Sequence, residues 1–353
     1  MSRSMNVKRG NATLKAVAMN QNMSAAEQEG GGQGKGWHWH FEGEPWNFVT
    51  GCQEVSPGCF LCYARSVAKG NKRRLMGRHT KQIAKGKPGL AVIGYQQDGV
   101  QTNEGPTPGA SSPGFGLDLR PDLLVPGTLK RTPTGGRTRR VFVDSMSDLF
   151  QSSAPISYIE KFYQAVRHPR RQGTRFMVQT KRATNMKKRV RQVLNGSPAP
   201  PNVWLGVTVE NANPYVLDRI RHLRDLKQSG HAAHTFISFE SLLGLLPADL
   251  DLIGIDWAYV GGESPQSVLQ DSITIQNCKN AGRHFTPSGQ VYRPMNPDWV
   301  RRVLDLLRKH DIPFLFKPWG ASSNNPDPAN DPSFRGDPHG GCQLDGEFFD
   351  WCP

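Results

Sequence analysis

Three cysteines, Cys52, Cys59 and Cys62, crowd into eleven residues, while Cys278, Cys342 and Cys352 lie far downstream. Such spacing is not a disulfide framework, and in a large intracellular chain a tight cysteine group reads first as a metal or redox site. Thiolates hold soft or borderline metals because their polarizable charge survives desolvation when a cation shares it. Zinc and iron–sulfur are therefore the main options. A structural zinc site wants four closed ligands, commonly two pairs. This segment has one Cys-x2-Cys pair and one cysteine upstream, so His38, His40 or a distant cysteine would have to complete the set. A cubane cluster on three thiolates leaves one iron open, and a radical S-adenosylmethionine (SAM) enzyme uses that vacancy to chelate its cosubstrate. Six residues separate the first two cysteines here, against three in the usual radical-SAM pattern. Spacing alone leaves iron–sulfur, zinc and unligated buried thiols all open.

Such ligands need a scaffold. Trp46 to Cys52 places the first cysteine just past a short strand, and Pro57-Gly58 turns the chain before the other two. Apolar runs rich in β-branched and aromatic residues at 141–144, 175–180, 203–209, 235–240, 256–260 and 313–317 read as buried strands. Helical periodicity lies between several of them: Ile159, Phe162, Tyr163 and Val166 behind Ser153 and Pro155; Val216, Ile220 and Leu223; and Val300, Val303, Leu304 and Leu307 behind Asn296 and Pro297. With 47–50 as a first strand this makes seven, alternating with helices. The expected fold is α/β, a partial or full (β/α) barrel with parallel strands. Chemistry in such barrels gathers where strands end, and those ends carry Asp144, Gln179, Lys181, Glu210, Glu240, Glu263 and Lys317. Asp144, Ser145 and Asp148 could hold ribose hydroxyls or substrate, or simply cap a helix. Lys181 and Arg182 could neutralise an anion, or pair within the rim.

A chain of 353 residues accommodates one barrel of about 250 residues plus ornaments. Apolar residues make up 37%, and with 37 glycines added the composition excludes a wholly disordered chain. No stretch reaches the ~18 apolar residues of a bilayer span and no secretory apolar block opens the chain, so a cytoplasmic protein without membrane contact is expected. The 44 Lys and Arg against 30 Asp and Glu give +14, which favours a polyanionic partner, nucleic acid first. Nine basic residues and no acid lie between Arg65 and Lys87. Lys72, Arg73, Arg74 and Arg78 within that run are the expected DNA contacts, against the plainer reading of a solvated helix face. Residues 1–36 read as a flexible tail, 37–320 as the barrel with a basic and Gly/Pro-rich insertion at about 65–138, and 321–353 as a C-terminal extension.

Taken together, several segments resemble the phage-associated three-cysteine-motif family, which is radical-SAM-like. They are Trp46-Asn47, Val49 to Cys52, Val55 to Cys59, Cys62-Tyr63-Ala64, Phe142 to Phe150, Gln179 to Arg182, Asn202 to Val207, Val260 to Ser264, Arg293-Pro294-Met295 with Asp298-Trp299-Val300, and Phe316-Lys317 with Trp319-Gly320. The resemblance spans residues 46–64 and 139–320. It implies a 4Fe-4S cluster on Cys52, Cys59 and Cys62, SAM as cosubstrate, and a partial barrel. Gly261-Gly262-Glu263 is similar to the Gly-Gly-Glu segment with which radical-SAM enzymes contact the methionyl amine, so these three join Asp144 and Ser145 as expected cofactor-binding residues. Phage relatives are associated with DNA hypermodification, in which isomerases rearrange an amino acid on thymine from a nitrogen link to a carbon link. The departures are Phe48 where the family usually has proline, and the insertion at 65–138. A radical-SAM DNA-repair lyase and a non-catalytic zinc-stapled DNA-binding protein are the competing readings.

Overall fold

The computed structural model describes residues 45–65, 67, 118–119, 121–124, 139–266, 276, 278–280, 282–286, 288–334, 339–349 and 351. The expected tail, Lys72, Arg73, Arg74, Arg78, Cys352 and most of the 65–138 insertion lie outside them.

Strands β1 (Val49–Thr50) and β2 (Asp118–Leu119) pair antiparallel. Then come β3 (Arg139–Val143), β4 (Thr174–Thr180), β5 (Val203–Thr208), β6 (His234–Phe239), β7 (Trp257–Val260), the short pair β8 (His284–Phe285) and β9 (Val291–Tyr292), β10 (Phe314–Phe316), and the pair β11 (Gln343–Leu344) and β12 (Glu347–Phe348). Six of these form one sheet in the order β3-β4-β5-β6-β7-β10, parallel throughout. Spatial order follows chain order, so the sheet is a half-barrel. It leans on helices α1 (Ile156–Val166), α2 (Ala183–Leu194), α3 (Pro214–Gln228) and α4 (Pro297–Lys309).

Both faces of the strands are apolar, which is why they read as continuous runs. Val141, Val143, Phe176, Val178, Leu205, Val207, Ile237, Phe239, Val260 and Phe316 join the large core that includes the helices. Their alternates, Met177, Trp204, Phe236, Trp257, Tyr259 and Leu315, form a separate cluster with Phe142 against it. Gly206 belongs to that second face, where a Cβ would collide with the Phe236 ring. The α4 stripe of Val300, Val303, Leu304 and Leu307 is buried as its spacing predicts. Asn296 caps it by accepting from Asp298 N at 2.8 Å, with Pro297 in the first turn. Ser153 does not cap α1: Pro155 takes the cap position, with no side-chain bond.

The seventh strand is a correction. Residues 46–51 run alongside β3 and the turn after it, touching the strand through an isolated parallel bridge at Trp46–Val143 and the turn through one at Gly51–Ser147, while β1 itself pairs with β2. The cause is Asp144. It ends β3 in the left-handed conformation at φ 52°, and its Oδ1 accepts from Phe48 N at 3.1 Å and Val49 N at 3.0 Å. A carboxylate takes the amides that a ladder would otherwise have used.

The C-terminal extension is no loose appendage. Phe349 O accepts from Phe316 N at 2.7 Å, so the chain beyond β12 covers the free edge of β10, and Trp351 O accepts from Trp257 Nε1 at 3.0 Å. Covering an edge strand in this way removes an open hydrogen-bonding template. Among the described residues no helix is long and apolar enough to cross a membrane.

Candidate metal centre at the carboxyl ends of the strands

The cysteine loop leaves β1, passes through a single 3-10 turn at Pro57–Cys59, and brings all three thiols into partly buried positions. Cys52 Sγ accepts from Arg182 Nη1 at 3.5 Å, and Cys59 Sγ lies 3.8 Å from Ser56 Oγ. Burial pushes the Cys52 thiol up to about 12, with Asp148 adding to the rise and Arg182 opposing it. Cys59 adds the smallest contribution to that rise. Tyr63, next to Cys62, donates to Ser145 O at 2.6 Å; its phenol is raised by burial and then by Cys62.

Among the described residues no three His, Cys, Asp or Glu side chains are gathered as a metal-holding group. The expectation that three sulfurs meet at one point is therefore met only as far as a shared loop. As a donor set, three thiols on one short loop beside a guanidinium suit a thiolate-ligated cluster.

Three long-range clamps fix this loop. Arg182 donates through Nη2 to Gln53 O at 2.7 Å and through Nη1 to Asp148 Oδ2 at 2.9 Å. Glu210, fully buried at the end of β5, accepts from Ser56 Oγ and, at 2.9 Å, from Arg219 Nη1 on α3, with Lys181 Nζ 3.8 Å away. Gly58 lies so close that a Cβ would strike the same carboxylate. Arg293 grips Glu263 with its Nε at 2.8 Å and with Nη2, and its Nη1 donates to Pro57 O at 2.9 Å. Each clamp is a buried or half-buried charge held by charge-assisted hydrogen bonds.

The other expected cofactor residues have structural partners. Gly262 packs so tightly on the Trp319 carbonyl that no side chain fits there, and Gly320, at φ 86°, meets the same stretch of backbone. Gly261 sits between Glu240 and Lys317, whose Nζ donates to both Glu240 oxygens at 2.7 and 2.6 Å, and a Cβ on Gly261 would press on both side chains. Glu263 is occupied by Arg293. Ser145 Oγ donates to Asn47 Oδ1 at 3.1 Å. Burial holds the Asp144 carboxyl well above the usual carboxylate range, and its Oδ2 is buried without a partner among the described residues.

Deeper on the inner face, Tyr259 donates to Gln179 Oε1, and Gln179 Nε2 donates to Thr208 Oγ1 at 2.8 Å. Arg65, the first residue of the expected DNA-binding run, pairs with Glu54. None of Cys52, Cys59, Cys62, Cys278 or Cys342 is in a disulfide, and Cys278 is buried against Leu61 and Val291.

Sequence reasoning missed Arg219 and Ser56 and gave Arg293 no role. Arg219 had a signal: it sits in the α3 stripe Val216, Ile220, Leu223, where a charge on an apolar face calls for a buried partner.

A model of the family described as Protein of unknown function (DUF5131) matches residues 38–272 and 286–353. No curated protein and no solved structure matches the chain.

Proposed function

This chain belongs to the family described as Protein of unknown function (DUF5131), and we propose, from its cysteine loop and motif resemblance, that it is a radical-SAM-like iron–sulfur enzyme acting on DNA. The observation that carries the reading is the cysteine loop, anchored by Arg182, Glu210 and Arg293 at the carboxyl ends of parallel strands, where barrels assemble their chemistry. Cys52, Cys59 and Cys62 would hold a 4Fe-4S cluster, which when bound would supply the electron that cleaves SAM into methionine and a hydrogen-abstracting 5′-deoxyadenosyl radical.

This chain's own residues position and shield. The apolar inner face of Met177, Phe236, Trp257 and Leu315 excludes water from the half-barrel beneath the rim. The Lys317–Glu240 pair and the Tyr259–Gln179–Thr208 chain give that rim fixed polar groups for orienting a substrate. Asp144 and Ser145 flank the loop on the β3 side, where they would help hold the loop that meets SAM. Gly261, Gly262 and Glu263 shape the opposite wall.

The substrate we propose is an amino-acid-modified thymine in phage DNA, isomerised from a nitrogen-linked to a carbon-linked form, with the base flipped to reach the rim. The motif resemblance and the net charge of +14 support this. Lys72, Arg73, Arg74 and Arg78 would grip phosphates, so neutralising them should flatten the salt dependence of DNA binding while leaving the iron in place.

The test is anaerobic reconstitution with iron, sulfide and SAM, followed by nucleoside mass spectrometry of modified, damaged and plain DNA. A SAM-dependent nucleoside of unchanged mass and new retention time is expected from the modified DNA. Turnover of damaged DNA alone would reassign the chain as a repair lyase. Zinc without iron would make it a stapled DNA-binding protein.

A further inference from the structure

The guanidinium of Arg182 reaches three acceptors at once: Asp148 Oδ2 at 2.9 Å, Cys52 Sγ at 3.5 Å and Gln53 O at 2.7 Å. Its own aim is set from behind. Asp148 is buried, and its carboxylate accepts from Phe150 N at 3.0 Å, from Thr180 Oγ1 at 2.7 and 2.8 Å, and from Lys181 N at 3.2 Å. Thr180 Oγ1 in turn accepts from Arg182 N at 2.8 Å, so backbone and side chain of the arginine are fixed by one node. Asp148 alone would satisfy a charge whose task was to join the turn after β3 to the end of β4. Two of the three acceptors instead belong to the cysteine loop, and one of them is a sulfur.

We propose that Arg182, held by Asp148, is the positioning residue for Cys52. It fixes that sulfur at the start of the cysteine loop and would donate a hydrogen bond to it once it ligates iron. This rests on the iron–sulfur reading above. The chemistry needs arginine, because a planar fork serves a carboxylate, a carbonyl and a sulfur together, whereas an ammonium on a flexible stem cannot hold all three. Partners that orient a metal ligand matter almost as much as the ligand, and losing one typically weakens metal retention about ten- to a hundredfold.

The experiment compares wild type with Arg182→Gln, Arg182→Lys and Asp148→Asn. Each is reconstituted anaerobically, its thermal transition is checked, and iron release to a chelator and the midpoint potential are measured. Arg182→Gln should release iron about tenfold faster or more, with the midpoint moved to lower potential because a positive donor has left the sulfur. Arg182→Lys should recover the midpoint while still releasing iron quickly, and Asp148→Asn should release iron quickly with the arginine present.

Release and midpoint unchanged in Arg182→Gln would overturn the proposal. If that variant does not fold, wild-type retention in Arg182→Lys would overturn it equally. A wild type that takes up no iron–sulfur overturns the underlying reading instead, and that is known before any variant is compared.

Discussion

The α4 helix and the cysteine loop lie in one fold but are held by different physics. The helix is local: a stripe at helical spacing, a cap two residues from its partner, and burial of Val300, Val303 and Leu307 against the sheet. Each such side chain contributes about 1.5–3 kcal/mol of burial, whatever the identity of its distant neighbours. The loop leaves Val55 and Phe60 exposed, buries only Leu61 among its large apolar side chains in a small cluster with Cys278 and Val291, and is tied down by partners 130, 154 and 236 residues away in sequence: Arg182 on Cys52, Glu210 on Ser56, and Arg293 on Pro57. Apolar packing makes the scaffold, and buried charges aim the ligands. A fold can therefore lose its site without losing its shape.

Four substitutions sharpen this contrast. Glu210→Ala should have the largest effect. It strands buried Arg219, at a cost of about 3–5 kcal/mol, and frees Ser56, so both the melting temperature and iron uptake should fall. Leu307→Ala should cost about 2–5 kcal/mol in denaturant unfolding through the cavity it leaves. Because it touches only the scaffold, iron bound per folded molecule should stay at the wild-type level, and a parallel loss of iron would erase the distinction.

Asp144→Asn is a smaller, pH-dependent case. Burial raises the native carboxyl, so the folded state binds a proton that the unfolded chain releases above about pH 4. The stability Asp144 contributes therefore declines as pH rises from there toward its native value. An amide keeps an oxygen for Phe48 and Val49 and does not titrate, so the difference in stability should shift toward the variant as pH rises above about 4. A pH-independent difference would count against this account of Asp144. At the exposed end of the scale, Asp298→Asn breaks a surface pair with Arg301 and should cost less than about 1 kcal/mol, with no change in iron.

The scaffold was legible in the sequence because periodicity reports burial. Six of the seven expected strands form the sheet, and the α4 stripe with its Asn296 cap falls where the spacing places it. The seventh failed because one side chain, Asp144, replaced a ladder, and periodicity is blind to a carboxylate accepting from amides 95 and 96 residues away. The rim was legible as a set of polar residues after strands, but their pairings were not. Glu263, expected to meet a cofactor, holds Arg293, while Gly261 and Gly262 make room for the Lys317–Glu240 pair and for the Trp319 backbone. Glycine in a sequence marks a close approach without naming what approaches.

The central claim is that Cys52, Cys59 and Cys62 act together as one ligand set. The most direct measurement is iron and acid-labile sulfide on anaerobically reconstituted protein, with electron paramagnetic resonance after reduction, comparing wild type with Cys59→Ala. The account predicts a reduced 4Fe-4S signal with matching iron and sulfide in the wild type, and loss of both in the variant without loss of fold. Zinc in place of iron, or a signal that survives the substitution, would contradict it.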